Sequence, residues 1–405
     1  MSDLVTRAQI TLLSRTLHVS EDRLSHLEKL GAANLHELQE RMAKAIFAQH
    51  NATFSRLSML VPIIPLSISL PLVQRMVPPV MAGRAAGAIG VDHPKKAAEA
   101  VSMLDPAYAA AAAPYMDPHG VGQLADIAPV GPVMKIINEL LSRGDHVTAG
   151  PFLAYATPEL IRAVERDVHD DEGLIRSASY AYSGENISVI LRHLLTGERV
   201  PRLVRTILHG SKELRLAALS VFARCDADVE LAIGDILFDL GSADEIADLI
   251  GTFIDSGVVP ETLRFAGQLS PSALDLLAAN PIISDLEAID AITVAVDGTL
   301  DTAVWRGLLE LGERTQPAIA RRIGEKVSHF DTATLAQLPT VLSTTHLWPP
   351  LLKVLAAAEP DAQSRIGELW SALPALERNE IEQRIADLGL GEQLTTLSAT
   401  LQITH

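Results

Sequence analysis

The sequence predicts an all-α protein, built as a superhelical array of short helix pairs with additional helices at its N-terminus. Apolar residues make up 48% of the chain and aromatic residues only 4%, and the small aliphatic residues suit closely packed short helices. Apolar runs restart repeatedly behind Pro, Ser, Asp or Thr, and many end at Gly. Sustained strand alternation is missing, and residues 294–300 are the one local rival for a strand.

Proline residues mark the predicted helix starts. Proline suits the first turn of a helix, because its missing N–H would have no partner there. Three such starts follow Asp105, Asp117 and Thr157, which we expect to act as N-caps. Helices this short are not stable alone and must stack on one another. No strict period overlays them, so the array is expected to be a degenerate α-solenoid of HEAT-like character.

Composition divides the chain into four segments. They are N-terminal helices in 1–56, a Pro-rich apolar segment in 57–93, helical repeats with a basic end in 94–224, and an acidic helical-repeat half in 225–405. Cys225 is the single cysteine and excludes an intrachain disulfide, so we expect it to be a small buried residue in a reducing compartment. The N-terminus has no signal-peptide pattern, which predicts a cytoplasmic protein. The three tryptophans are expected to anchor the core: Trp305, Trp348 and Trp370.

The Leu-Asp-Pro rhythm in residues 94–164 resembles a known family. The phrases AAEAVSMLDPAYAAAAAPYMDP, ADIAPVGPVMKIINEL and GPFLAYATPELIRAV are similar to the short helices in the intracellular N-terminal domain of MgtE-type magnesium transporters. The resemblance implies a superhelical fold, similar to parts of flagellar motor switch proteins, and a use in protein interaction. It does not imply transport, because no hydrophobic bundle follows in this chain.

Residues 57–90 form an unusual apolar stretch. The chain has no charge between Arg56 and Arg75, and its prolines interrupt the continuous helix that a membrane span needs. We expect buried short helices and extended links here, with close helix packing at the glycine-rich residues 83–90. The alternative is a surface that meets a membrane, a lipid or an apolar ligand. The side chains proposed for that contact are Leu60, Ile64, Leu72 and Met76.

Charge is distributed in blocks. The net charge of −17 makes a nucleic-acid partner an unfavourable interpretation. Residues 176–224 carry eight Lys or Arg and three Glu, whereas residues 225–300 carry fifteen Asp or Glu and one Arg. This layout predicts a basic surface that steers a partner or pairs head to tail with a second copy. Its candidates are Arg192, Arg199, Arg202 and Arg205; the alternative is that the acidic residues only fill helix first turns and solvated faces.

The densest polar cluster lies at residues 165–172. Its candidate metal ligands are Glu165, His169, Asp170 and Asp171, because carboxylates suit Mg²⁺ or Ca²⁺ and imidazole suits Zn²⁺. The cluster lacks the spacing of an EF-hand or a zinc protease, so helix capping and loop solubility explain it more simply. The sequence also lacks a nucleophile elbow, a phosphate loop and a dinucleotide fingerprint. We therefore predict no catalytic residue and no cofactor.

These observations favour a cytoplasmic scaffold or adaptor that binds another protein, including a second copy of itself. The first alternative is a lipid-associated protein that meets a membrane or an apolar ligand through residues 57–90 and is peripheral to the membrane. The second alternative is a metal-dependent enzyme that uses the cluster at 165–172.

Overall fold

The computed structural model describes residues 3–58, 64–343 and 345–402. These residues form 27 α-helices and four short 3-10 helices, and none of them lies in a strand. The predicted all-α class is therefore confirmed. The chain divides into two compact units, Met1–Val229 and Glu230–His405.

Fourteen helices lie wholly in the first unit. They are α1 (Leu4–Leu17), α2 (Gly31–Ser58), α3 (Leu66–Met76), α4 (Pro79–Asp92), α5 (Pro94–Met103), α6 (Pro106–Ala112), α7 (Pro118–Gly122), α8 (Val130–Ser142), α9 (His146–Phe152), α10 (Pro158–Asp167), α11 (Asp171–Ser179), α12 (Gly184–Leu194), α13 (Arg199–Leu208) and α14 (Lys212–Phe222).

The remaining helices begin with α15 (Ala227–Leu240), whose residues run across the boundary between the two ranges. They continue with α16 (Ala243–Asp255), α17 (Val259–Ala266), α18 (Pro271–Ala278), α19 (Pro281–Ser284), α20 (Leu286–Val294), α21 (Thr302–Arg314), α22 (Pro317–Val327), α23 (Thr332–Ser343), α24 (Trp348–Ala357), α25 (Pro360–Trp370), α26 (Ala375–Asp387) and α27 (Thr395–Leu401).

Local capping explains many of the helix starts. The Asp105 carboxylate accepts a hydrogen bond from the Tyr108 N–H at 3.0 Å, and the Thr157 hydroxyl accepts one from Leu160 at 3.3 Å. Both are predicted N-caps, and both precede a proline in the first turn. The rival strand at 294–300 is instead the end of α20 and a turn, in which Gly298 has a φ of 78°.

Helices that are two apart along the chain stack on each other. In the first unit α4 packs on α6, α6 on α8, α8 on α10 and α10 on α12. In the second unit α20 packs on α22, α22 on α24, α23 on α25 and α25 on α27. These helices thus bury apolar side chains against a counterpart in the next pair, which is how arrays of helical pairs are stabilised.

Many of the hydrogen bonds between helical pairs join residues that are 31 to 37 positions apart. Examples are Arg143 to the Ala107 carbonyl, Arg202 to Asp171, Arg264 to Asp301, Asn280 to the Ala243 carbonyl, Arg322 to Asp290 and Trp370 to the Leu335 carbonyl. The donors and acceptors differ in type from pair to pair. The residue types of one helical pair are therefore not repeated in the next. What recurs is the sequence separation between the bonded residues.

The second unit has an extensive apolar core that includes all three tryptophans. Trp305, Trp348 and Trp370 are at most 3% exposed, which confirms their predicted role as core anchors. Trp348 and Trp370 meet edge to face at 5.9 Å between ring centroids.

Cys225 differs from expectation, because it is only half-buried. Helix α14 ends at Phe222, so Cys225 lies in the turn beyond the helix and not on its buried side. No helix among the described residues combines the length and the apolar character that crossing a membrane requires.

Candidate functional site

Helix α3 presents an apolar stripe to solvent. Ile68, Leu72 and Met76 are spaced four residues apart on the helix and are 59%, 53% and 76% exposed, and Ile64, just before the helix, is 42% exposed. No residue of α3 is buried, so the expectation of a buried short helix is wrong for this part of 57–90. We call these four side chains the α3 stripe.

Polar contacts hold the opposite side of α3 against the array. The Gln74 side-chain oxygen accepts a hydrogen bond from the Asp105 N–H at 2.6 Å, and the Tyr108 hydroxyl donates to the Val77 carbonyl at 2.9 Å. Gln74 is two residues from Leu72 and from Met76, which corresponds to about 200° around a helix. The α3 stripe therefore points away from the surface on which α3 is anchored. Leu60, the fourth predicted contact, lies outside the described residues.

Helix α4, which directly follows, behaves in the opposite way. Gly83, Gly87 and Gly90 are buried, and a Cβ atom on Gly83 would lie 2.4 Å from the Ala112 carbonyl oxygen. Only a glycine lets the backbones of α4 and α6 approach so closely. The close helix packing predicted for residues 83–90 is confirmed, whereas the preceding helix forms surface.

The α3 stripe carries little charge. Arg75 and Arg84 are the only charged residues between Ile64 and Val91, and Arg75 is exposed. Helix α3 is therefore uncharged apart from Arg75, in a chain whose net charge is −17. Sequence reasoning did not select Ile68, although its spacing of four residues from Ile64 and Leu72 was the available signal.

Two of the predicted surface arginines bind one aspartate inside the array. Arg199 Nε lies 3.0 Å from Asp171 Oδ1, and Arg202 Nε lies 2.6 Å from Asp171 Oδ2. The Arg199 side chain is 1% exposed and also donates to the Val168 carbonyl at 2.7 Å. Burial lowers the pKa of Arg199, and the Asp171 carboxylate raises it. This arrangement joins α13 to α11 and leaves neither Arg199 nor Asp171 available to a partner.

The other two arginines differ from each other. Arg192 donates to Asp226 at 2.5 Å and to Asp228 at 2.6 Å, and these hydrogen bonds raise its pKa. The bonds join the predicted basic block to the first acidic residues of the following block. Arg205 is exposed on α13, and no ion pair of Arg205 is found within the part of the chain that the structure describes.

The four candidate metal ligands have separate roles. Asp170 caps α11 by accepting from the Gly173 N–H at 2.8 Å, and Asp171 binds the two arginines. His169 is exposed, and Glu165 is half-buried on α10. Across residues 3–58, 64–343 and 345–402, no group of three or more His, Cys, Asp or Glu side chains is placed to hold a metal ion.

Comparison with known proteins gives no match: no family model, no curated protein and no solved structure is similar to this chain.

Proposed function

We propose that the chain is a helical-repeat scaffold whose protein-binding surface is the outer face of α3, and that a second copy of the chain binds there. The α3 stripe carries this proposal. A helix that shows apolar side chains at every fourth position is the form in which proteins present a helix to a groove or to another helix. Contiguous exposed apolar patches on soluble proteins mark sites of interaction.

The position of α3 supports the same reading. It is the first helix after the N-terminal helices, and it packs on the later helix α5. Helical arrays need a polar outer face on their terminal element to remain soluble alone. The outer face of α3 is apolar, so a further helix that stacks there would bury it. The resemblance of residues 94–164 to the MgtE-type N-terminal domain agrees with a protein-interaction use.

The expected affinity is modest. Covering the exposed half of an aliphatic side chain contributes about 1 kcal/mol, so four such side chains from each of two copies contribute about 8 kcal/mol. Association costs about 4 kcal/mol or more in lost rigid-body freedom. A second copy is therefore expected to bind only at high protein concentration, and the experiment must reach that range.

The test is light scattering on the full chain over a concentration series. Wild type is expected to become dimeric as concentration rises, and the double variant Leu72→Glu, Met76→Glu is expected to remain monomeric. Leu376→Glu is the matched control, because Leu376 is an equally apolar side chain that is 71% exposed on α26. The control should dimerise like wild type. A wild-type chain that stays monomeric throughout, or a double variant that dimerises equally well, would overturn the proposal.

Lipid is the second candidate occupant of this face. The observation in its favour is that Arg75 and Arg84 accompany the α3 stripe without any carboxylate between Ile64 and Val91. Apolar side chains flanked by cations suit the surface of an anionic membrane. Flotation of the full chain with phosphatidylserine vesicles, lost in the same double variant, would assign the face to lipid in place of a second copy.

A further inference from the structure

Three methionines are exposed on neighbouring helices of the first unit. Met76 ends α3 and is 76% exposed, Met81 lies on α4 and is 50% exposed, and Met103 ends α5 and is 41% exposed. Helix α5 packs on both α3 and α4, so the three helices that carry these side chains adjoin one another. Met134 on α8, by contrast, is only 4% exposed. The methionines of this chain therefore differ widely in their access to solvent.

Met76 is the most exposed large apolar side chain among the residues that the structure describes. Methionine ordinarily belongs to the residue types that proteins bury. Met76 lies four residues after Leu72, at the end of the α3 stripe, and it is the only member of that stripe that contains sulfur. The other three members are aliphatic hydrocarbons, which a peroxide does not oxidise. The α3 stripe therefore combines three inert side chains with one reactive side chain.

Hydrogen peroxide converts methionine to its sulfoxide in one two-electron step. The thioether sulfur attacks one peroxide oxygen, an S–O bond forms while the O–O bond breaks, and the second oxygen leaves with both protons as water. The side chain becomes polar and gains a hydrogen-bond acceptor. Aliphatic side chains contain no donor for that acceptor, and the same holds for the stripe of a second copy. Because burying a polar group without a partner is unfavourable, the sulfoxide opposes association.

We infer that Met76 is a site of reversible oxidation by hydrogen peroxide, and that its sulfoxide prevents a second copy from binding to α3. The inference rests on the proposed function, because it names the regulation of the same surface. Ile64, Ile68 and Leu72 provide apolar contact in either state, whereas Met76 provides it only while its sulfur is reduced. A methionine sulfoxide reductase, with a dithiol as electron donor, restores the thioether, and the oxygen leaves as water while the dithiol becomes a disulfide.

The first measurement is the rate of oxidation at each methionine. The full chain is treated with hydrogen peroxide at low protein concentration, where it is monomeric, and the sulfoxides are followed by peptide mass spectrometry. Met76 should be oxidised at least tenfold faster than Met134, with Met81 and Met103 between them in the order of their exposure. Equal rates at Met76 and Met134 would overturn the inference, whether or not the chain dimerises.

The second measurement is light scattering of the reduced and the peroxide-treated chain over a concentration series. Peroxide should weaken the wild-type dimer at least tenfold, and methionine sulfoxide reductases with dithiothreitol should restore it. Met76→Leu keeps an apolar side chain but removes the sulfur. Its dissociation constant should therefore change less than twofold on peroxide treatment, whatever its value before treatment. Cys225 is present in both chains, so its oxidation cannot account for a difference between them.

Met103→Leu is the matched control, because Met103 is an exposed methionine outside the α3 stripe. Its dimer should be as sensitive to peroxide as that of wild type. A reduced wild type that dimerises, and that dimerises equally well once Met76 is oxidised, would overturn this inference and leave the proposed function standing. A reduced wild type that stays monomeric throughout would overturn both.

Discussion

The basic residues around α13 and the apolar residues of α3 differ in how their neighbours bind them. The sequence predicted a surface for the first set; for the second it predicted burial, with a contact surface as the alternative. Arg192, Arg199 and Arg202 are bound to carboxylates of neighbouring helices. Ile68 and Met76, by contrast, remain more than half exposed. A charged side chain can reach a partner on the next helical pair, whereas an apolar side chain is covered only if another element stacks directly on it.

The comparison separates side chains that bond neighbouring helices from side chains that face solvent. Asp171 lies between two arginines of α13 and connects α11 to that helix. The side chains of the α3 stripe, by contrast, remain 42% to 76% exposed. Pairing between helices, and not residue type, therefore decides which of these side chains stay exposed.

The largest expected effect is the loss of the buried carboxylate. Asp171→Ala leaves Arg199 buried without its counter-ion, which should lower the free energy of unfolding by about 3 kcal/mol. Urea denaturation followed by circular dichroism measures this change. Glu172→Ala is the control, because Glu172 is 51% exposed and should have little effect. Equal midpoints for the two variants would show that the buried pair does not stabilise the unit.

A smaller effect is expected at the solvent-exposed ion pairs of Arg192. The side chains of Arg192 and Asp226 are 40% and 42% exposed, so solvent screens their attraction. Arg192→Ala should lower the free energy of unfolding much less than Asp171→Ala does, and the difference from wild type should shrink in high salt. Denaturation at low and high ionic strength measures it. A loss as large as that of Asp171→Ala would remove the distinction between buried and exposed pairs.

Protonation of Asp228, the carboxylate that binds Arg192, is expected to change the stability still less. The hydrogen bonds from Arg192 lower the pKa of Asp228 below its usual value of 3.8. Any stability that the pair contributes is therefore present above pH 3.8 and is lost as the pH falls through the folded-state pKa. Carboxyl titration by NMR should show the Asp228 pKa returning towards 3.8 in Arg192→Gln. An unchanged Asp228 pKa in that variant would contradict the pairing.

The smallest effect on stability is expected at the α3 stripe. Leu72→Ser with Met76→Ser removes apolar surface that is already exposed, so the free energy of unfolding should change by no more than about 0.5 kcal/mol. Urea denaturation measures this, and retention on a hydrophobic-interaction column should fall in the same variant. A large loss of stability would show that these side chains are buried within the chain, and the comparison with Asp171 would fail.

The helix starts could be predicted because they depend on local chemistry. Asp105 and Thr157 cap helices through N–H groups three residues away, and a proline follows each of them. Such contacts are present in any fold that contains the helix. The all-α class followed from many such local signals.

Burial was harder to predict, because it depends on residues far away in the chain. Helices α3 and α4 come from one apolar stretch, yet Gly83 lets α4 approach α6 while α3 stays exposed. Arg199 and Arg205 are six residues apart on α13, yet one is buried against Asp171 and the other is exposed. The neighbouring sequence does not distinguish the two arginines. The difference is that Asp171 of α11 lies beside Arg199.

The contact between helix α1 and the array could not be predicted from the sequence. More than 100 residues separate Arg15 from Asp145, and local signals do not relate residues that far apart.

The separation of 31 to 37 residues between bonded partners makes one helical pair the unit in which the chain can change length. Excision of a complete pair would bring together helices of the same layer, so the new neighbours could stack as the old ones did. Removal of half a pair would place every following helix in the wrong layer. Natural length variants of this architecture are therefore expected to differ in steps of about 35 residues, as duplication or loss of whole repeats produces them.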